Sequence, residues 1–395
     1  MSLSPPHDIA DQIQSDISPP AAAIALSRRS PLAAAAMTGG ALLATFAVGI
    51  GGGYLAKLLH FPLPYMTGSL LITAALGLAG VPVRSLWQAR AAGQFVTGSA
   101  IGTSFTPAVL ANVAMLLPVI VIGSMISLVI GGIGAWMLMR LADLDAKTAF
   151  LATIPGGVIE MANVAARVDA DPMPIMVLQT MRVGLTVSVA PFLATIIAAG
   201  ERHDVAQTEI MSWLTVVALM GASFLGGLAL RLIRLPNCWF IGSIITVAAI
   251  GVLGLVEGRV PDQILVVAQV IIGTSIGTQF RHEFLTRLLR LLLSSFLTVP
   301  FAVGTMALVG AVFAVVLALP VATMFLALAP AGIAEMALTG KVLGLDAALI
   351  TGAQIVRILM VTLGAAQLCR LVRADRGAKD MSHRTSAVGA LAMLS

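Results

Sequence analysis

Long apolar stretches separated by short polar ones run from about residue 33 to about residue 373. Six fill each half of that span. In the first half they cover about 33–58, 64–82, 86–105, 108–140, 146–166 and 172–199. In the second they cover about 207–230, 237–256, 262–280, 287–318, 321–341 and 346–369. Each is close to, or longer than, the ~20 residues an α-helix needs to cross the ~30 Å apolar layer of a bilayer. The period-2 alternation of a barrel strand is absent, and lipid accepts only helices or closed barrels. All the stretches are therefore expected to be helical.

The two halves repeat one another. Residues 94–105, QFVTGSAIGTSF, return as 269–280, QVIIGTSIGTQF, at an offset of 175. The same offset relates 149–182 to 324–357 through Pro155/Pro330, Gly157/Gly332, Glu160/Glu335, Met161/Met336, Gln179/Gln354 and Arg182/Arg357. An internal duplication predicts two membrane repeats, about 33–200 and 207–373. They are flanked by polar, Pro-bearing tails at 1–32 and 374–395 that read as disordered. Arg28-Arg29 directly precedes the first apolar stretch, which favours an uncleaved first helix over a secretion signal.

Charge orients the repeats. If all six stretches crossed, the repeats would be parallel and Arg231, Arg234, Arg281, Arg287 and Arg290 would face outward. If the fifth stretch dips in and returns, each half crosses five times and the second half is inverted. Only Lys57, Arg202, Arg259 and Lys341 then lie outside. The positive-inside rule favours this second arrangement, with about ten crossings and both termini cytoplasmic. Local chemistry agrees. Pro155-Gly156-Gly157 removes a donor and adds backbone freedom within the fifth stretch, and Pro330-Ala331-Gly332 does so in its partner. The expected fold is thus an all-α polytopic inner-membrane protein of two inverted repeats, each with a re-entrant or broken segment.

Composition fits a membrane body: 58% apolar and only 10% charged residues, against roughly 25% charged in soluble domains. Cys238 and Cys369 lie in or beside apolar stretches and make no disulfide framework. The histidines at 7, 60, 203, 282 and 383 are scattered without ligand spacing, so no metal and no cofactor are expected. No catalytic motif is present, and neither tail can hold a nucleic-acid reader. The Gly49–Gly53 run GIGGG follows a helix and reads as a packing feature.

The candidate chemistry is therefore confined to a few ionisable side chains deep in apolar stretches. Glu160 and Glu335 follow the helix breaks; Arg182 and Arg357 lie in the sixth stretches. Gln179 and Gln354 precede those arginines by three residues and share their helix face. A charge at the bilayer centre costs roughly 3 kcal/mol or more, so such residues must pair or face water. One expectation is that the carboxylates bind a proton or cation while the arginines receive an anion or neutralise the carboxylates. The other is a purely structural Glu–Arg pair. Gln94 and Gln269 are secondary candidates, beside hydroxyl- and glycine-bearing segments.

P-x-G-x-x-E-M in each half, with Q-x-x-R about nineteen residues later, resembles the AbrB family of bacterial membrane proteins. The matching residues are Pro155, Gly157, Glu160, Met161, Gln179 and Arg182 with their counterparts. Members carry labels such as AbrB duplication protein, ammonia monooxygenase and AidB regulator. The resemblance implies an association with gene regulation and a transporter-like body. Two function classes follow: a secondary transporter of a small solute or ion, with a proton as the candidate coupling ion, and a membrane sensor that moves nothing. A membrane monooxygenase is a disfavoured third, since the histidines supply no ligand cluster. The expected partners are the bilayer and a small solute, not nucleic acid; homo-oligomerisation is left open.

Overall fold

A computed structural model describes residues 31–199 and 209–361 except 234, 236 and 257. Residues 1–30, the linker with Arg202, the C-terminal tail and Cys369 lie outside the described residues, while Pro31 and Leu32, expected in the first tail, begin a helix. The chain divides into two compact units, Met1–Ala44 and Thr45–Ser395. The first contributes the opening turns of one helix from Pro31. The packing below belongs to the second.

The first half consists of α1 (Pro31–Leu58), α2 (Pro64–Leu78), α3 (Trp87–Gly102), α4 (Pro107–Met115), α5 (Leu117–Leu141), α6 (Ala146–Thr153), α7 (Val158–Val168) and α8 (Pro172–Ala198). The second consists of α9 (Trp213–Leu232), α10 (Cys238–Val252), α11 (Asp262–Gly277), α12 (His282–Arg287), α13 (Leu289–Leu317), α14 (Val321–Leu328), α15 (Ile333–Val342) and α16 (Ala347–Val361). Among the described residues the only extended pairing is one isolated bridge, Ile210 with Arg259. Among the described residues six helices are long and apolar enough to cross a membrane: α1, α5, α8, α9, α13 and the α11 stretch.

Duplication extends to helix length. Both α2 and α10 have 15 residues, both α3 and α11 have 16, and both α6 and α14 have 8. One expected stretch is divided and another gains a short helix ahead of it. The stretch 108–140 is interrupted at Leu116, where Pro118 near the start of α5 lacks the N–H a continuous helix would need. The stretch 287–318 is preceded by the short α12, separated from α13 at Leu288.

Glycines fix how the central helices run. Gly273 faces Met66 and Ser69, and one turn later Gly277 faces Leu70 and Thr73, so α11 runs parallel to α2. A Cβ on either glycine would fall within 2.3–2.6 Å of a backbone carbonyl oxygen, so a side chain would force these helices apart. In the equivalent pair, Gly98 faces Phe240 and Ser243 while Gly102 faces Ile244 and Val247, so α3 runs parallel to α10. Between these pairs, Ser85 Oγ lies 3.0 Å from Ser275 Oγ, and further along α3 Gly93 faces Ala268 and Ile272. The equivalent helices α3 and α11 therefore run antiparallel. So do α5 and α13: Gly123 faces Phe313, and at the other end Arg290 Nε donates to Leu141 O at 2.8 Å.

Candidate functional site: two helix breaks on one cavity

Each fifth stretch is broken where the Pro-Gly pattern predicts. Residues 154–157 separate α6 from α7, and 329–332 separate α14 from α15. The first hairpin closes on itself. Lys147 Nζ, at its start, donates to Val168 O at 2.8 Å, and Asp171 N, past its end, donates to Thr148 Oγ1 at 3.1 Å. The stretch enters and leaves at one end.

Breaking a helix leaves carbonyls at the end of the first half-helix without intrahelical partners. Gln179 and Arg182 supply them. Gln179 Nε2 donates to Leu151 O at 2.8 Å and Ile154 O at 3.0 Å. Arg182 donates to Ile154 O at 2.7 Å and Gly156 O at 2.8 Å. The second hairpin repeats this. Gln354 Nε2 reaches Leu326 O and Ala329 O, and Arg357 reaches Leu328 O, Ala329 O and Ala331 O at 2.6–3.3 Å. Arg357 also donates to its own helix neighbour Gln354 Oε1. A guanidinium at a helix C-terminus additionally meets the negative end of the helix dipole. Both arginines are buried, at 4% and 2% exposure.

The expected Glu–Arg pairing is thus corrected. Among the described residues neither Arg182 nor Arg357 is ion-paired to a carboxylate; their forks are filled by backbone carbonyls at the breaks. The same-face placement of Gln and Arg holds, since Gln179 and Arg182 share Ile154 O, and Gln354 and Arg357 share Ala329 O.

The carboxylates sit on the other side of each break, at the third residue of α7 and α15. There an acidic side chain can curl back toward the helix start and meet its positive dipole end. That curl explains the glycines. Gly157 and Gly332 have ordinary φ values of −75° and −72°. A Cβ on them, however, would lie 1.8 and 2.0 Å from Glu160 Oε2 and Glu335 Oε2. The two acids then differ. Glu335 is 1% exposed and bonded to Arg90 Nη2 at 3.0 Å. Glu160 is half-buried with no ion-pair partner among the described residues.

A cavity of about 360 Å³ joins these parts. Both breaks reach it, through Gly156, Gly157, Ala331 and Gly332, as do Glu160, Glu335 and Arg182. Gln94 lines it as well, with Arg90 and Arg231; Gln269 does not, and lines a second cavity instead. Arg90 is legible in the sequence only as one of several loop-proximal basic residues; no local signal marks it as Glu335's partner. Cys238 stands on the same wall, with Asn237 and Trp239. Among the described residues no three His, Cys, Asp or Glu side chains form a metal-ligand cluster.

The sequence pattern of the family described as "Transition state regulatory protein AbrB" matches residues 78–373. The chain is also 26% identical over 362 residues to a Bacillus subtilis (strain 168) protein named "Uncharacterized protein YhjN", covering 84% of this chain and 93% of that one. It is 25% identical over 329 residues to an Escherichia coli (strain K12) protein named "Putative regulator AbrB", covering 81% and 92%. The family match spans both hairpins, both Q-x-x-R ties and the cavity between them, and the chain belongs to the AbrB family.

Proposed function

We propose that this protein is a secondary transporter that moves a small solute across the inner membrane by alternating access. It is built from two inverted repeats of five crossings, each with a re-entrant hairpin. The observation that carries this reading is the meeting of two helix breaks, one from each repeat, at a single cavity that holds both carboxylates. Broken segments at a repeat interface are where transporters place substrate and coupling ions.

Further features support it. Equivalent helices run antiparallel in the α3/α11 and α5/α13 pairs, as inversion requires. The bonded base of the first hairpin suits a segment that returns to its own side. Gln179 and Arg182 stand about 10 and 15 Å along α8 at a 1.5 Å rise per residue, near the middle of a ~30 Å apolar layer. Arg90 and Arg231, expected inside, share one cavity, whereas Arg259 and Lys341, expected outside, share the other. In this scheme both termini are cytoplasmic, and Glu160, open to the cavity, is the proton- or cation-loading group.

The test is flux into liposomes holding the purified protein, screened over a broad solute panel with and without an imposed pH gradient. Protein-dependent uptake is expected, with coupling lost in Glu160→Gln. Absence of any such flux across the panel rejects the transporter. The name of the Escherichia coli relative favours a second reading, a sensor acting through its tails. Deleting residues 1–30 and 376–395 should abolish a phenotype carried by that route and leave one carried by transport.

A further inference from the structure

A second cavity, of about 1160 Å³, lies at the opposite end of the antiparallel α3/α11 pair. The first cavity takes Arg90 and Gln94 near the start of α3 and Gln279 just past α11. The second takes Leu265 and Gln269 near the start of α11 and Ser104 just past α3. The positions match at the offset of 175, but the charges do not: Leu265 stands where the first repeat has Arg90.

The charge in the second cavity comes instead from Lys341, in the last turn of α15. Its Nζ donates to Ser104 Oγ at 2.7 Å and, among the described residues, has no carboxylate partner. The other charged groups on the wall are accounted for. Arg259 Nη1 holds Asp262 at 2.7 Å, and Glu209 is exposed. Gln269 is only 5% exposed, and its Oε1 finds no hydrogen-bond partner among the described residues. The cavity thus offers an ammonium with two N–H donors uncommitted, while the Gln269 oxygen is closed off from it. A half-buried cation without a counter-charge is unfavourable until something completes it.

We propose that this cavity is a binding site for a small organic carboxylate. The anionic group sits on Lys341 and Ser104. The site is separate from the hairpin cavity and requires binding alone. A negative flux screen therefore leaves it standing, and its own failure leaves the transport reading untouched.

The test uses the full chain in nanodiscs with Cys238→Ser and Cys369→Ser and one reporter thiol on the wall, Val342→Cys. A second reporter, Val266→Cys on another helix, serves if the first does not fold; size-exclusion chromatography monitors both. Modification rates are measured with a sulfonate-bearing and a trimethylammonium-bearing methanethiosulfonate reagent, each normalised to a free thiol. The sulfonate should be favoured on the order of tenfold, as a nearby unit charge produces in a semi-enclosed site. Acetate, lactate, malate or glutamate should slow modification relative to chloride at equal ionic strength, and Lys341→Gln should remove both effects. Equal rates for the two reagents, a preference that survives Lys341→Gln, or a folded protein whose reporters do not react would each overturn the site. Charge preference without protection by any of the four acids would overturn the carboxylate assignment.

Discussion

In the first hairpin the Glu160 carboxylate curls over Gly157 and faces an open cavity. In the second, Glu335 curls over Gly332 in the same way but is 1% exposed and held by Arg90. The scaffolds around them differ similarly. Residues 322–340 of the second hairpin are buried throughout except at Gly332, whereas α7 of the first exposes Asn163, Ala166 and Arg167. Gln179 Oε1 has no hydrogen-bond partner among the described residues, whereas Gln354 Oε1 takes an N–H from Arg357. Local sequence therefore sets the shape of a hairpin, and its neighbours set its electrostatic state. A single asymmetric position, Arg90 against Leu265, is enough to make two equivalent acids unequal.

The strongest way to break this comparison is to remove the ties that both hairpins share. Gln179 and Gln354 keep Ile154 O and Ala329 O, so Arg182→Ala strands Gly156 O and Arg357→Ala strands Leu328 O and Ala331 O; an unsatisfied buried group costs about 1–3 kcal/mol. Arg357→Ala should lower the melting temperature in detergent more, because Arg357 reaches three carbonyls and Arg182 two. Equal and small shifts would mean that the ties are dispensable.

A smaller effect should come from Arg90→Leu, which restores the symmetry with Leu265. It leaves Glu335 buried and unpaired. Breaking a fully buried pair costs roughly 3–5 kcal/mol; Arg90 is 28% exposed, so less is expected here. Glu335→Gln in the same chain should recover most of the loss, while Glu160→Gln should recover none. Rescue by Glu160→Gln instead would show that Arg90 serves both acids.

The smallest and sharpest contrast is Gly332→Ala against Gly157→Ala. In both, the new methyl displaces a carboxylate. Both acids line the cavity, but Glu160 has no ion-pair partner to lose among the described residues, whereas Glu335 must give up Arg90 to move. Gly332→Ala should therefore cost more, with both within about 0.5–3 kcal/mol, the range of most point substitutions. Thermal unfolding of the two variants side by side decides it, and the reverse order would contradict the electrostatic difference between the hairpins.

The sequence by itself determined the helical membrane body, the duplication, the position of both breaks and the shared face of Gln179 with Arg182. Each of these is a local property, written in hydrophobic run length, Pro and Gly placement, or a three-residue spacing. The division at Leu116 is marked in sequence only by Pro118, and the short helix before Leu288 joins the long one without a polar gap or a Pro-Gly signal. The tertiary structure alone decided the partners. Arg182 and Arg357 bind carbonyls and not carboxylates, and a backbone carbonyl freed by a helix break carries no side-chain signature. Glu335 finds Arg90 across 245 residues, and Lys341, which reads in sequence as a loop-side charge, meets Ser104 on the wall of a cavity. Which charges meet depends on which helices are brought side by side, and only the packing of the two repeats fixes that.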